Sequence, residues 1–327
     1  MKEMNLREHI SVLETREPLS YGEETVGIKM LVKRINIYSP EQEKILAIPV
    51  ILGNALRGIL RDIMAEIFLN EVLKHVSEKP PEWHAGALLT LFSGGLLKGE
   101  ERVERVTAAD VAKKVADLLE KLIPLSIMGC ALPGVMIPSK VKISIFYPVC
   151  NETYPLIEDL IDKIGDETLK LKLNSAKNIS IEDLIMDVPM MRKDDTLKIM
   201  QLMGTKDVKV TGFEKALPEG AEKTREPRAP VQMLFYRQAL APGTLLIGKI
   251  NELIPLRQEE LGLLLLSFER FKAVGGAIAR GFGEIIAYNL PEPCRDVKKA
   301  FSDFVGEHIA EISQYLSESP DEWLKSD

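Results

Sequence analysis

Two arginines stand out in the segment Gly53-Asn-Ala-Leu-Arg-Gly-Ile-Leu-Arg-Asp62. Ala55, Leu56, Ile59, Leu60, Ile63, Met64, Ile67 and Phe68 recur at helical spacing, so Arg57 and Arg61, four apart, share one face of a helix. Gly53 and Asn54 supply the turn and a capping side chain for its start. Cations at this spacing repel slightly, and the macrodipole disfavours Arg57 in the first turn. Two readings fit. One is a solvated arginine face on an amphipathic helix. The other is a site where Asn54, Arg57 and Arg61 hold an anion, because the free amides of a helix start already favour phosphate.

A second segment with binding chemistry is Gly275-Gly-Ala-Ile-Ala-Arg-Gly-Phe-Gly283. It is not a phosphate-binding Walker loop: Gly276 and Gly281 have the required separation, but Phe282 stands where the lysine is needed. It is not a dinucleotide fingerprint either, since it precedes a strand instead of following one. Gly275, Gly276 and Gly281 suit close backbone approach to a ligand or to another segment, and Arg280 offers a bidentate phosphate contact. A tight helix-to-strand turn is the competing reading.

Catalytic constellations are harder to find. His9, His75, His84 and His308 are scattered, with no HxxxH or HExxH pattern, and Cys130, Cys150 and Cys294 form no CxxC pair; the sequence therefore predicts neither a zinc site nor a disulfide framework. Glu23 and Glu24 fall in a polar stretch, Ser20–Thr25, that reads as an exposed turn. Asp62 reads as an ion-pair partner of Arg61, and Asp194-Asp195 as solvated.

The elements that must position these residues alternate strand and helix. Strands are predicted over 9–16, 26–38, 48–52, 140–147, 231–236, 244–250 and 284–288. Helices are predicted over 54–78, ending at Lys79-Pro-Pro81, over 107–123, ending before Pro124, over 257–272, and amphipathically over 295–316. Residues 155–165 and 166–185 read as short helices. Residues 187–230 carry nine Lys or Arg and eight Asp or Glu and are punctuated by Pro and Gly. Such a long excursion from a compact core is usually functional or disordered. With 327 residues, 46% hydrophobic, the chain can bury a full core. No apolar run approaches the ~20 residues of a membrane span, and the charged start MKEMNLREHI has no signal-peptide core, so the expected location is the cytoplasm and no membrane partner is expected. A net charge of −7 excludes a globally basic nucleic-acid binder; contacts to nucleic acid must come from local Lys and Arg clusters.

Taken together, the GNALRGILR helix start and the later GGAIARGFG loop resemble the RAMP superfamily of CRISPR proteins. The layout is most similar to the backbone subunit that polymerises along crRNA in type IV-like or type III-like effector complexes. Phe235-Tyr-Arg-Gln-Ala-Leu-Ala-Pro-Gly-Thr-Leu245, Phe92-Ser-Gly-Gly95 and Pro124-Leu-Ser-Ile-Met-Gly129 agree with that layout, and the resemblance covers about 10–290.

The resemblance implies an α+β fold: a modified ferredoxin-like (RRM-like) core in one domain over 1–327. It carries a mostly helical insertion at 70–125, a thumb at 187–230, and a C-terminal helix with an acidic tail at 295–327. It implies binding of crRNA without sequence readout, further copies of the chain in a helical filament, and contacts to other CRISPR effector subunits and to target nucleic acid. By matching position, Asn54, Arg57 and Arg61 lie on the RNA-binding helix. Gly275, Gly276, Arg280 and Gly281 form the loop beside it, Arg192 and Lys193 lie at the thumb base, and Lys33 and Arg34 on an early strand. No cofactor or metal is implied, and the expected role is a non-catalytic scaffold. Type III backbone subunits cut RNA with an aspartate after the first strand, where this chain has Glu23 and Glu24. Three alternatives stay open: such a metal-dependent endonuclease, a repeat-processing endoribonuclease using His9, and an enzyme for a phosphorylated ligand.

Overall fold

The computed structural model describes residues 8–39, 43–76, 81–95, 108–192 and 233–324. The chain opens with β1 (His9–Thr15), β2 (Gly22–Val26), β3 (Lys29–Val32), β4 (Arg34–Ser39) and β5 (Lys44–Pro49). Four helices follow: α1 (Gly53–His75), α2 (Ala85–Ser93), α3 (Ala108–Lys121) and α4 (Ile123–Met128). Then come β6 (Cys130–Leu132), β7 (Val135–Ile137), β8 (Val141–Ile143), β9 (Tyr147–Pro148), α5 (Tyr154–Asp162) and α6 (Glu167–Ala176). The last third holds β10 (Ile185–Arg192), β11 (Met233–Leu240), β12 (Leu245–Glu252), α7 (Gln258–Arg270), β13 (Ile285–Tyr288), α8 (Arg295–Glu307) and α9 (Ile309–Ser317).

The fold is α+β. Its central sheet has the order β13-β1-β12-β8, with β9 also on β12, and every neighbouring pair is antiparallel. With α1 and α7, the core runs β-α-β-β-α-β along the chain, the split βαβ order of ferredoxin-like folds. The strand period of two decides the layers. Leu13, Leu246 and Ile250 pack with Leu56, Leu60, Phe68 and Leu263 of α1 and α7. Ile10, Val12 and Ile247 face the other way, onto Ile157 and Ile161 of α5 and Leu169 and Leu173 of α6. Helices therefore cover both faces of the sheet. A second sheet, β10-β11-β3-β2, and the hairpins β4–β5 and β6–β7 stand outside this core.

Several boundaries differ from the sequence expectation. The expected turn at Ser20–Thr25 is largely strand β2, and the turn falls at Gly27, which takes φ +63°. The expected strand 26–38 breaks at Lys33, whose N–H turns to Tyr21 O while its carbonyl accepts from Val50 N. Pro124 does not mark a stop; it sits in the first turn of α4, where its missing N–H costs nothing. The strand expected at 140–147 is interrupted, because Phe146 leaves the ladder to pair with Ile51 and fill the space above Gly248. The excursion from 187 begins as strand: β10 pairs with β11 along its whole length, from Ile185 to Arg192. The C-terminal helix breaks in two at His308.

Candidate nucleic-acid interface

Helix α1 begins one residue earlier than expected. Its N-cap is Leu52, no side chain caps it, and Asn54 is exposed in the first turn instead of capping. The reason is packing: a Cβ on Gly53 would lie 2.1 Å from Ile143 O, so only glycine lets the helix start abut β8.

Arg57 and Arg61 do share a face, and that face is occupied. Arg57 Nη2 donates to Met128 O, while Arg61 donates from Nη1 to Ser93 O at 3.0 Å and from Nη2 to Met128 O at 3.0 Å and Gly129 O at 3.2 Å. Ser93 and Met128 are the last residues of α2 and α4, so the two cations sit at the negative ends of two helices. Gly94, at φ +80°, leaves the room: its Cβ would lie 2.8 Å from the Arg61 guanidinium. The three segments GNALRGILR, FSGG and PLSIMG thus meet at one place. Burial lowers the pKa of both guanidinium groups, and for Arg61 the charge of Arg57 adds to it, yet both stay cationic at any ordinary pH. Each keeps a buried Nε without a partner among the described residues.

In front of these arginines lies an open groove of about 660 Å³, lined by Asn54, Arg57, Gly58, Arg61, Lys142 and Leu253 among others. Gly58 faces open space, and Lys142 is exposed. Sequence reasoning missed Lys142 because it sits on a short edge strand with no motif around it.

The glycine-rich loop is built differently. Gly275, at φ +92°, would place a Cβ 2.5 Å from Ser20 O, and Gly283, at φ +84°, one 2.2 Å from Val274 O. Gly276 N donates to Ser20 O and Gly283 N to Pro18 O, so the loop is stitched to the segment after β1. Arg280 ends a short 3-10 turn, Ile278–Arg280, between Ala277 and Gly281, both in the left-handed region, and is exposed. Above the loop stands Arg237 of β11, which sequence reasoning did not single out. Its guanidinium lies 5.8 Å from the Phe282 ring centroid.

The loop and the start of α1 are not brought together. Gly53 abuts β8 at one edge of the central sheet, and the loop leads into β13 at the other, three strand spacings away, about 14 Å. They also lie toward opposite ends: Ile143 pairs with Ile250 opposite His9, whereas Ile285 pairs with Thr15. Arg57 and Arg61 form one patch, Arg280 another.

The remaining candidates are dispersed. Lys33 follows β3, and Arg34 Nη2 donates to Gln238 Oε1 at 3.3 Å in a cavity that also holds Lys44, Glu152, Glu182 and Asp187. Mixed charge makes this a poor anion site. Arg192 ends β10 opposite Met233, and Lys193 lies outside the described residues. Glu23 and Glu24 belong to β2. His9 Nε2 contacts Asn289 O, and burial lowers its pKa, with that hydrogen bond opposing. Burial pushes the Cys130 and Cys150 thiols up to about 11, which makes both inert. Among the described residues no cluster of three or more His, Cys, Asp or Glu is placed to hold a metal ion, and no helix is long and apolar enough to cross a membrane.

No family model matches the sequence, and no curated protein matches it. Among solved structures, the chain is similar to a chain of a "Type IV-B CRISPR Complex", with a TM-score of 0.51 and 15% identity, over 88% of this chain and 96% of that one. It also matches Thermofilum pendens Csc2, at a TM-score of 0.36 and 14% identity, over 96% of this chain and 81% of that one. The first of these is a likeness of fold.

Proposed function

We propose that the chain is a subunit of a multisubunit CRISPR effector complex and holds guide RNA by its sugar–phosphate backbone without reading sequence. The observation that carries this reading is the fold shared with the Type IV-B complex chain over 96% of that chain. The meeting of GNALRGILR, FSGG and PLSIMG around one open groove supports it. On this reading the protein is a non-catalytic scaffold of one domain. Its copies stack head to tail in a filament, an interface that does not close on itself. Residues 187–230, of which 193–230 lie outside the described residues, are assigned to the thumb, other effector subunits bind at the filament ends, and target nucleic acid pairs with the held guide.

Two features fit backbone clamping better than base stacking. Helices cover both faces of the central sheet, which leaves no open platform there. Aromatic residues make up 6% of the chain, and its sequence holds no RNP-like aromatic strand for base stacking. Phosphate contacts position an RNA strand without reading its bases.

The groove at α1 is the place to test. Arg57 and Arg61 also hold α2 and α4, so replacing them confounds binding with stability. Lys142→Glu avoids this, because the side chain is exposed. The variant is expected to melt like the wild type and to bind single-stranded RNA about tenfold more weakly in a fluorescence titration. Unchanged affinity would remove the groove from the interface.

A further inference from the structure

We propose that Arg237, laid on Phe282 and left uncovered by Gly276, is a phosphodiester-binding residue of the glycine-rich loop. The proposal rests on the guide-RNA reading and adds Arg237, from the second sheet, to the loop residues Gly275, Gly276, Arg280 and Gly281 that the family resemblance implies for RNA.

Arg237 is the anomaly. Its side chain is half-buried and its Nε is fully buried, yet it makes no hydrogen bond or ion pair among the described residues. Arg57 and Arg61 show how this fold satisfies a half-buried guanidinium, by aiming main-chain carbonyls at it. Among the described residues Arg237 has the Phe282 ring, 5.8 Å away, and no acceptor. A ring attracts the cation but accepts no hydrogen bond from the buried Nε–H. A buried N–H without an acceptor is costly, and an anion that supplies two acceptors to the planar fork removes that cost.

Gly276 explains why the fork stays open. Gly275, Gly281 and Gly283 have φ of +92°, +78° and +84°, so the backbone itself requires glycine there. Gly276 does not: it lies outside the left-handed region, is exposed, and has no backbone atom closer than 4.0 Å to its would-be Cβ. The first atom that Cβ would meet is Arg237 Nη1, at 3.4 Å. What a side chain at 276 would change is access to the guanidinium. The nearby carboxylate, Glu17, lies at the far end of the loop, 3.9 Å from the Cβ position of Gly281, and accepts from Glu284 N. Arg280, exposed on the same loop, supplies a second positive charge for an extended polyanion.

The test uses the full chain and a labelled single-stranded RNA of mixed sequence, titrated at several salt concentrations. Arg237→Gln and Gly276→Leu are each expected to weaken binding about tenfold. Each should also reduce the slope of log K against log salt by about 0.7, one phosphate contact on a single strand. The double variant should be no weaker than either single one, because both remove the same contact. Gly276→Leu lies on an exposed loop, so it carries the test even where Arg237→Gln unfolds. Wild-type affinity in Gly276→Leu and Arg237→Gln, with binding weakened in Lys142→Glu, would overturn this site and leave the guide-RNA reading standing. A wild-type chain with no affinity for RNA overturns both. Thermal stabilisation by ADP or inorganic phosphate, lost in Arg237→Gln and without any RNA binding, would assign the pocket to a small phosphorylated ligand instead.

Discussion

Arg61 donates to three carbonyls at the ends of α2 and α4, and this sets what its loss must do. Charge-assisted hydrogen bonds contribute about 1.5–3 kcal/mol each and share one side chain here, so Arg61→Ala is expected to cost about 3 kcal/mol in urea denaturation. Arg61→Lys should recover only part, because an ammonium cannot reproduce the planar fork. Glu260 is the acidic counterpart. Its side chain is fully buried and accepts from Lys140 Nζ at 2.6 Å, Ser126 Oγ at 2.6 Å and Arg257 N at 2.9 Å. Burial raises its pKa, but these hydrogen bonds and the Arg257 charge outweigh it and hold the carboxyl below its ordinary value of 4.5. A depressed carboxylate stabilises the fold above the unfolded-state value, and that contribution disappears as pH falls through the lower folded value. Glu260→Gln should therefore cost about 3–5 kcal/mol at neutral pH, since it strands Lys140, and should flatten the acid limb of a stability–pH curve below pH 4.5. The pairing of Arg57 with Arg61 was legible from their spacing. Their acceptors were not, because carbonyls far along the chain leave no mark on a local pattern.

At the scale of elements, two glycines of α1 make opposite predictions. Gly53→Ala drives a Cβ to 2.1 Å from Ile143 O, a main-chain atom that cannot swing aside, so the helix start must move off β8. A loss of about 3 kcal/mol or more is expected in thermal denaturation. Gly58 is five residues further on with nothing within 4 Å of its Cβ, and Gly58→Ala should stabilise the helix by about 1 kcal/mol. The same contrast explains what the sequence disclosed. The apolar period of α1 is sustained over 23 residues, and it placed the helix to within a few residues of its ends. Strands with one long-range partner were harder. The break at Lys33 depends on Tyr21 and Val50, and the gap between β8 and β9 on Phe146 meeting Ile51. Asn54 has a good capping side chain, but the tight fit of Gly53 to β8 moved the helix start and took the cap position away. Tertiary packing won over local propensity at each of these points.

The whole molecule carries a net charge of −7, and five of its cations fall in two separate patches, Lys142 beside Arg57 and Arg61 at the β8 edge of the central sheet, and Arg237 of the second sheet with Arg280 of the loop before β13. An acidic body with separated basic patches binds a polyanion weakly at either patch alone. It binds firmly only when one strand reaches both, or when many copies share that strand. On the guide-RNA reading this gives a measurable signature. If Lys142, Arg237 and Arg280 each neutralise one phosphate, log K for a single chain should fall with log salt at a slope of about −2. Oligouridylate and oligoadenylate of equal length should bind within a few-fold of each other, because the contacts address phosphates and both sheet faces are closed to base stacking. A strong preference for one base would require a stacking or base-edge contact. A slope near zero would show that charge is not what holds the RNA.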